Sequence, residues 1–276
     1  MERGSQFQFT RSAHVPALTV LRAAFSDFRY DRHAHDEYCF GVTLAGRQDF
    51  FSSGAYHHSP PGNVIRFNPG QVHDGSSGGD EPLDYVMLYI APEQLEPLFS
   101  EVAGVPLPRG RDADRTLMRD PLMRRRILDL ARRITLGVGS RIEQEYALYR
   151  IAARVQQIEG QFDTVDAVRR VDGLLLRARD YIHEHVDRDL SLEEVSEAAH
   201  LSKYHFLRLF RRQFGITPHQ YVLNCRINAA RRALDAGQSL ADVVHRYGFC
   251  DLSHFNRRFK RIYGMTPGQY RESVVA

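Results

Sequence analysis

The chain has 276 residues, 43% hydrophobic and 26% charged, with 37 Lys+Arg against 34 Asp+Glu for a formal net charge of +3. This is enough chain for two domains with separate cores, in proportions that suit a soluble globular protein. No apolar run approaches ~20 residues, and the opening MERGSQFQFTRSAH holds no apolar signal segment. Cys39, Cys225 and Cys250 form no Cys-x-x-Cys, so no membrane span, secretion, disulfide framework or zinc ribbon is expected, and a cytoplasmic protein is.

From Leu18 to Ile90, short β-branched and aromatic runs alternate with Gly and Pro: LTVLRAAF, YCFGVTL, RQDFF, NVIRFN and DYVMLYI. The pattern predicts an antiparallel barrel or sandwich, a fold that encloses a small-molecule cavity at one mouth. His33, His35 and Glu37 precede one strand, and Asn68-Pro-Gly-Gln-Val-His73 closes another. These side chains are chemically competent metal ligands. The reading preferred here makes His33, His35, Tyr38, Arg66, His73 and Tyr85 polar anchors of an organic effector, with no metal and no cofactor. A register slip of one residue would reverse every face.

Two amphipathic helices follow. Pro121–Thr135 carries Met123, Ile127, Leu130 and Ile134, and Arg141–Glu159 carries Ile142, Tyr146, Tyr149 and Val155. They predict an antiparallel hairpin that covers the sheet or pairs two subunits. Residues 1–160 are read as one domain, 161–168 as a polar linker and 169–276 as a second domain. The charge divides with them: 18 Lys+Arg against 12 Asp+Glu from Arg169 onward, and 19 against 22 before it. A basic module joined to a mildly acidic one points to a polyanion-binding half.

That basic module nearly repeats itself. HFLRLFRRQFGITPHQY, from His205 to Tyr221, returns 49 residues later as HFNRRFKRIYGMTPGQY, with 10 of 17 positions identical. Each copy follows a short helix with its own start signal, Ser191-Leu-Glu-Glu194 or Ser239-Leu-Ala-Asp242, where a side-chain oxygen can satisfy free backbone N–H groups. Ser202 and Asp251 are expected caps for the longer helices, and Gly215 and Gly264 their stops. With Phe206 and Phe210 inward, Lys203, Tyr204, Leu207, Arg208 and Arg211 face out. With Phe255 and Phe259 inward, Leu252, Ser253, Asn256, Arg257 and Lys260 face out. Arg reads guanine edges, Asn reads adenine edges and apolar side chains meet thymine methyls in a major groove. Cations late on a helix suit phosphate. The helix expected from Thr217 to Ala236 would span about 30 Å at ~1.5 Å per residue, close to the ~34 Å turn of B-DNA. Two tandem helix-turn-helix units in an all-α domain are therefore predicted.

Residues 169–273 resemble the DNA-binding domain of the AraC/XylS family of transcription regulators. The resemblance rests on Arg246-Tyr247-Gly248-Phe249, Ser253-His254-Phe255, Arg258-Phe259-Lys260 and Tyr263-Gly264-Met265-Thr266-Pro267 with Gln269-Tyr270. It implies that Arg208 contacts bases, flanked by Tyr204 and Leu207, and that Ser253, His254, Asn256 and Arg257 face the groove. The N-terminal H-x-H-x-E-Y and N-P-G-x-x-H segments resemble that family's cupin-like sensor domain, which implies a multidomain α+β chain with a cupin-like β-barrel and helical hairpin. The expected protein is not an enzyme. It is a homodimeric regulator, controlled by a small-molecule effector in the barrel, that meets double-stranded DNA and RNA polymerase and no membrane. Its rival is a metal-dependent cupin enzyme or metal sensor fused to a DNA-binding module. Against the rival, Glu37 follows His35 by two residues, whereas metal-binding cupins place the carboxylate several residues beyond the second histidine.

Overall fold

The computed structural model describes residues 5–103, 116–160 and 173–274. The predicted linker, 161–168, lies outside them. Among these residues, β1 (Gln6–Arg11), β2 (Leu18–Phe25), β4 (Tyr38–Ala45), β7 (Val64–Phe67), β9 (Leu83–Ile90) and β10 (Leu117–Met118) form an antiparallel sheet in the order β1-β2-β9-β4-β7-β10. A second sheet runs β3 (Arg29–His33), β8 (His73–Ser77), β5 (Gln48–Ser52), β6 (Ala55–Ser59). The sheets share a core but do not hydrogen-bond into one closed ring, so the expected barrel is an open two-sheet sandwich.

Alternation along the strands sorts the side chains between the larger sheet's two faces. Leu21, Ala23, Phe25, Cys39, Ile65, Phe67, Tyr85 and Met87 join the inner core. Leu18, Val20, Phe40, Val42, Val64, Val86, Leu88 and Ile90 meet the helices on the outer face. Those helices are α1 (Pro92–Ala103), α2 (Pro121–Thr135) and α3 (Arg141–Gly160). Asp120 caps α2 by accepting from the Met123 N–H at 2.8 Å, and its other oxygen accepts from Arg154 Nε of α3 at 2.9 Å.

Of the stripe expected on α3, Val155 is buried but the other three residues face out. Ala147, Leu148, Ile151, Ala152, Val155 and Ile158 are buried, while Ile142, Tyr146 and Tyr149 are 73%, 61% and 38% exposed. The alanines let α3 approach its neighbours closely, and the bulky rings fall on the opposite side.

The C-terminal module is α4 (Gly173–Glu184), α5 (Leu192–Ala198), α6 (Lys203–Phe214), α7 (Pro218–Asp235), α8 (Leu240–Arg246), α9 (Leu252–Tyr263) and α10 (Pro267–Val274). Ser191 and Glu194 form the expected reciprocal cap, and Thr217 forms another with Gln220. Asp251 caps α9, whereas Ser202 stands at the cap position of α6 without a side-chain bond. Gly215 and Gly264 end α6 and α9 at φ 76° and 79°, a left-handed conformation that costs other residues energy. Phe206 and Phe210 fill one small core with Leu175, Ile182 and Tyr221. Phe255 and Phe259 fill a second that runs on into the sandwich interior. No helix among the described residues is long and apolar enough to cross a membrane.

Candidate DNA interface and interdomain cleft

The duplicated helices α6 and α9 present cations, as their phase predicts. Lys203, Arg208 and Arg211 are exposed on α6 with Leu207 half-buried beside them; the Tyr204 side chain is outside the described set. On α9, Ser253, Arg257 and Lys260 are exposed, Leu252 is 47% exposed, and Asn256 is half-buried. His254 is half-buried near Phe249, its ring 6.0 Å from the Phe249 ring. Lys203 pairs with Glu193 of α5 at 3.0 Å, across a contact exposed enough to be worth little. Arg208 and Arg257 occupy equivalent places in the two copies, 49 residues apart.

The second unit also docks on the sandwich, and Lys260 lines a hollow at the edge of that contact with Phe7 and Phe28. α9 lies against β3, and α10 lies against β1. Phe9 stands with its ring centroid 5.2 Å from Tyr270 and 6.4 Å from Tyr263. A Cβ on Gly264 would run into the Phe7 ring, so this position needs glycine for space as well as for φ.

Helix α7 supplies the polar half of the contact. Asn224 accepts from the Ala34 N–H at 3.4 Å and donates Nδ2 to the Ala34 carbonyl at 2.8 Å. Asn228 donates to the same carbonyl at 2.9 Å. Arg231 pairs with Glu37 and Asp235, and donates Nε to Tyr263 Oη at 3.1 Å. Arg232 pairs with Asp36, and Arg11 pairs with Asp235 at 2.6 Å. Burial alone would lower the Arg231 pKa. Burial is the largest single effect, but Glu37, Tyr263, Tyr270 and Asp235 together outweigh it and raise the pKa, so the guanidinium stays charged.

Between the modules lies a cleft of about 980 Å³. One wall carries Arg11, Thr19, Asp36 and Tyr89 of the sandwich, and the other carries Tyr221 and Arg232 of the helical module. Its size is within the range of small-molecule pockets.

The six predicted anchors do not converge. His33, His35 and His73 come together, buried, with His33 Nε2 3.1 Å from His35 Nε2. Tyr85 is buried on the same inner face, and its hydroxyl is 2.8 Å from that of Tyr30. Tyr38 and Arg66 project from the other face. Tyr38 Oη donates to Glu96 of α1 at 3.4 Å, and Arg66 pairs with Glu159 of α3 at 2.6 Å. Pleating separates them: Cys39 and Phe67 point in, so Tyr38 and Arg66 point out. Burial and then Glu96 push the Tyr38 pKa up to about 12.

Sequence reasoning missed Arg11, Asn224, Asn228 and Arg231. The available signal was three polar residues at spacings of four and three on the helix face that should have been apolar.

The description "AraC-like ligand binding domain" fits residues 15–152, and "Helix-turn-helix domain" fits residues 195–273. The chain is 27% identical over 228 residues to the uncharacterised helix-turn-helix-type regulator YbfI of Bacillus subtilis, covering 82% of this chain and 81% of that one. It is 26% identical over 266 residues to the MmsAB operon regulatory protein of Pseudomonas aeruginosa, covering 91% and 80%. A point variant of apo ToxT from Vibrio cholerae superposes with a TM-score of 0.66 at 14% identity, over 96% of this chain and all of that one. ToxT with a bound unsaturated fatty acid gives 0.62 at 12% identity, over 96% and 98%.

Proposed function

The chain belongs to the AraC/XylS family of transcription regulators, and from that premise we propose how its two modules read DNA and answer a small molecule. It carries a ligand-binding domain and a helix-turn-helix DNA-binding domain, and it is a regulator rather than an enzyme. In the proposed mode, α6 and α9 enter successive major grooves of one duplex. Arg208 and Arg257 meet base edges, with Leu207, Ser253 and Asn256 beside them, and Arg211 and Lys260 meet phosphates. The observation that carries this is the equivalence of Arg208 and Arg257: both are exposed, on helices each held by its own equivalent pair of buried phenylalanines, Phe206 and Phe210 or Phe255 and Phe259. The 18 residues of α7 support the spacing, since they span about 27 Å against the ~34 Å repeat of the duplex.

The effector is assigned to the interdomain cleft. Rings occupy the inner face of the sandwich near Tyr85: Phe25 and Tyr30 are 5.9 Å apart, and Phe50 and Phe67 are 5.5 Å apart. The cleft instead offers Arg11 and Arg232, whose carboxylate partners an incoming organic acid could replace, beside Tyr89 and Tyr221. ToxT, similar in fold, is described with a fatty acid bound. A ligand that prefers one arrangement of the modules shifts the population toward it. Acting as a cytoplasmic homodimer, the protein would then present both helices to a promoter and to RNA polymerase.

The test uses a duplex selected from random sequence by the full chain. Arg208→Ala or Arg257→Ala is expected to weaken binding by about 1–3 kcal/mol and to relax selectivity at one position. Lys260→Ala is expected to weaken all sequences alike and reduce the salt slope by about one unit. Unchanged affinity and footprint in both arginine variants would refute the contacts.

A further inference from the structure

Directly beneath the docking site of α7, three histidines from two strands and a turn meet in the interior. We propose that His33, His35 and His73 form a binding site for one divalent transition-metal ion of the zinc class. Their nearest ring nitrogens lie within 4.8 Å of one another. Tetrahedral coordination at ~2.0–2.1 Å per bond sets ligand nitrogens about 3.3 Å apart. The 3.1 Å between His33 Nε2 and His35 Nε2 is close to that separation.

The surroundings prepare the rings as ligands. His33 Nδ1 is 2.5 Å from the Asp31 carbonyl oxygen, and His73 Nδ1 is 2.9 Å from that of Gln71. An N–H at each Nδ1 leaves the lone pair on Nε2, the arrangement in which an outer carbonyl orients a metal-bound histidine. Phe67 stacks on His73 at 3.6 Å, and Tyr89 packs edge-on to His35 at 5.0 Å, so apolar rings limit movement.

Without metal, one shared proton joins His33 Nε2 to His35 Nε2, and a bound ion would take the place of that proton. Glu37 does not complete the set, because it is turned to Arg231. The side chains therefore supply three imidazoles, a donor set suited to Zn²⁺, Co²⁺, Ni²⁺ or Fe²⁺ with the fourth ligand a water or small anion. Ala34 lies between two of the ligands, and its carbonyl is the acceptor shared by Asn224 and Asn228. Metal occupancy would thus stiffen the turn that α7 grips.

The experiment takes the full-length chain, strips it with chelator and titrates it with Zn²⁺ and Co²⁺. The expected result is uptake of one ion per chain, a raised thermal midpoint, and visible Co²⁺ bands of four-coordinate intensity. His73→Gln and His33→Gln are expected to weaken uptake by about tenfold or more. Should these variants not fold, X-ray absorption of the zinc-loaded wild type decides, with three imidazoles expected. Absence of stoichiometric uptake, unchanged uptake in folded variants, or an absorption spectrum without three imidazoles would each overturn the site.

Discussion

Arg231 shows how one residue can join two domains. Its side chain is 10% exposed and touches Glu37 of the sandwich, Asp235 of its own helix and Tyr263 of the second unit. A buried pair of this kind adds little net stability over apolar residues, but removing one partner strands the other charge. Arg231→Met is therefore expected to destabilise the chain by about 3–5 kcal/mol in denaturant titration, and adding Glu37→Met to restore most of the loss. An additive double variant would show that the charges act independently. Glu37 reads as a metal-competent carboxylate from its place after His35. Its actual partner is 194 positions away, beyond the reach of any local pattern.

Among the elements, the helices divide by what specifies them. The ends of α5, α6, α7 and α9 follow from caps and glycines that act within one turn, and these are legible in sequence. The inner strands β2, β4, β5, β7 and β9 are legible for a similar reason, being β-branched or aromatic runs between turns. β1, β3, β6, β8 and β10, and helix α1, were not anticipated: β3, β6 and β8 carry polar residues, and β10 is two residues long. The misassigned face of α3 has a functional consequence. Ile142, Tyr146 and Tyr149 stand outward, with Tyr146 and Tyr149 stacked at 6.4 Å. This face is the expected self-association surface. Ile142→Glu with Tyr146→Glu should convert a dimer to a monomer in sedimentation without loss of helix content. A wild-type chain that stays monomeric at all concentrations would remove this role.

At the scale of the whole molecule, the second helix-turn-helix unit and the sandwich share one continuous core, so the two modules do not behave as beads on a linker. Phe9, Tyr263 and Tyr270 make the apolar join, and the ion pairs around α7 ring the cleft. A ligand there is positioned to alter how α9 is held. A panel of aliphatic and aromatic carboxylic acids is expected to contain members that raise the thermal midpoint saturably, and Arg11→Ala with Arg232→Ala to abolish that rise. The same rise in the double variant would move the effector elsewhere.

The amino-acid order by itself determined the duplicated DNA-reading unit, its caps and stops, its cationic face and the β character of the first half. Each of these is written in residues a few positions apart, where helix and strand periods act directly. Tertiary structure alone decided that the sheets stay open, that Tyr38 and Arg66 leave the histidines, and that α7 closes on Ala34 across 190 residues. Those outcomes depend on strand register and on which surfaces meet. Both are set by the summed burial of distant side chains rather than by any neighbouring pair.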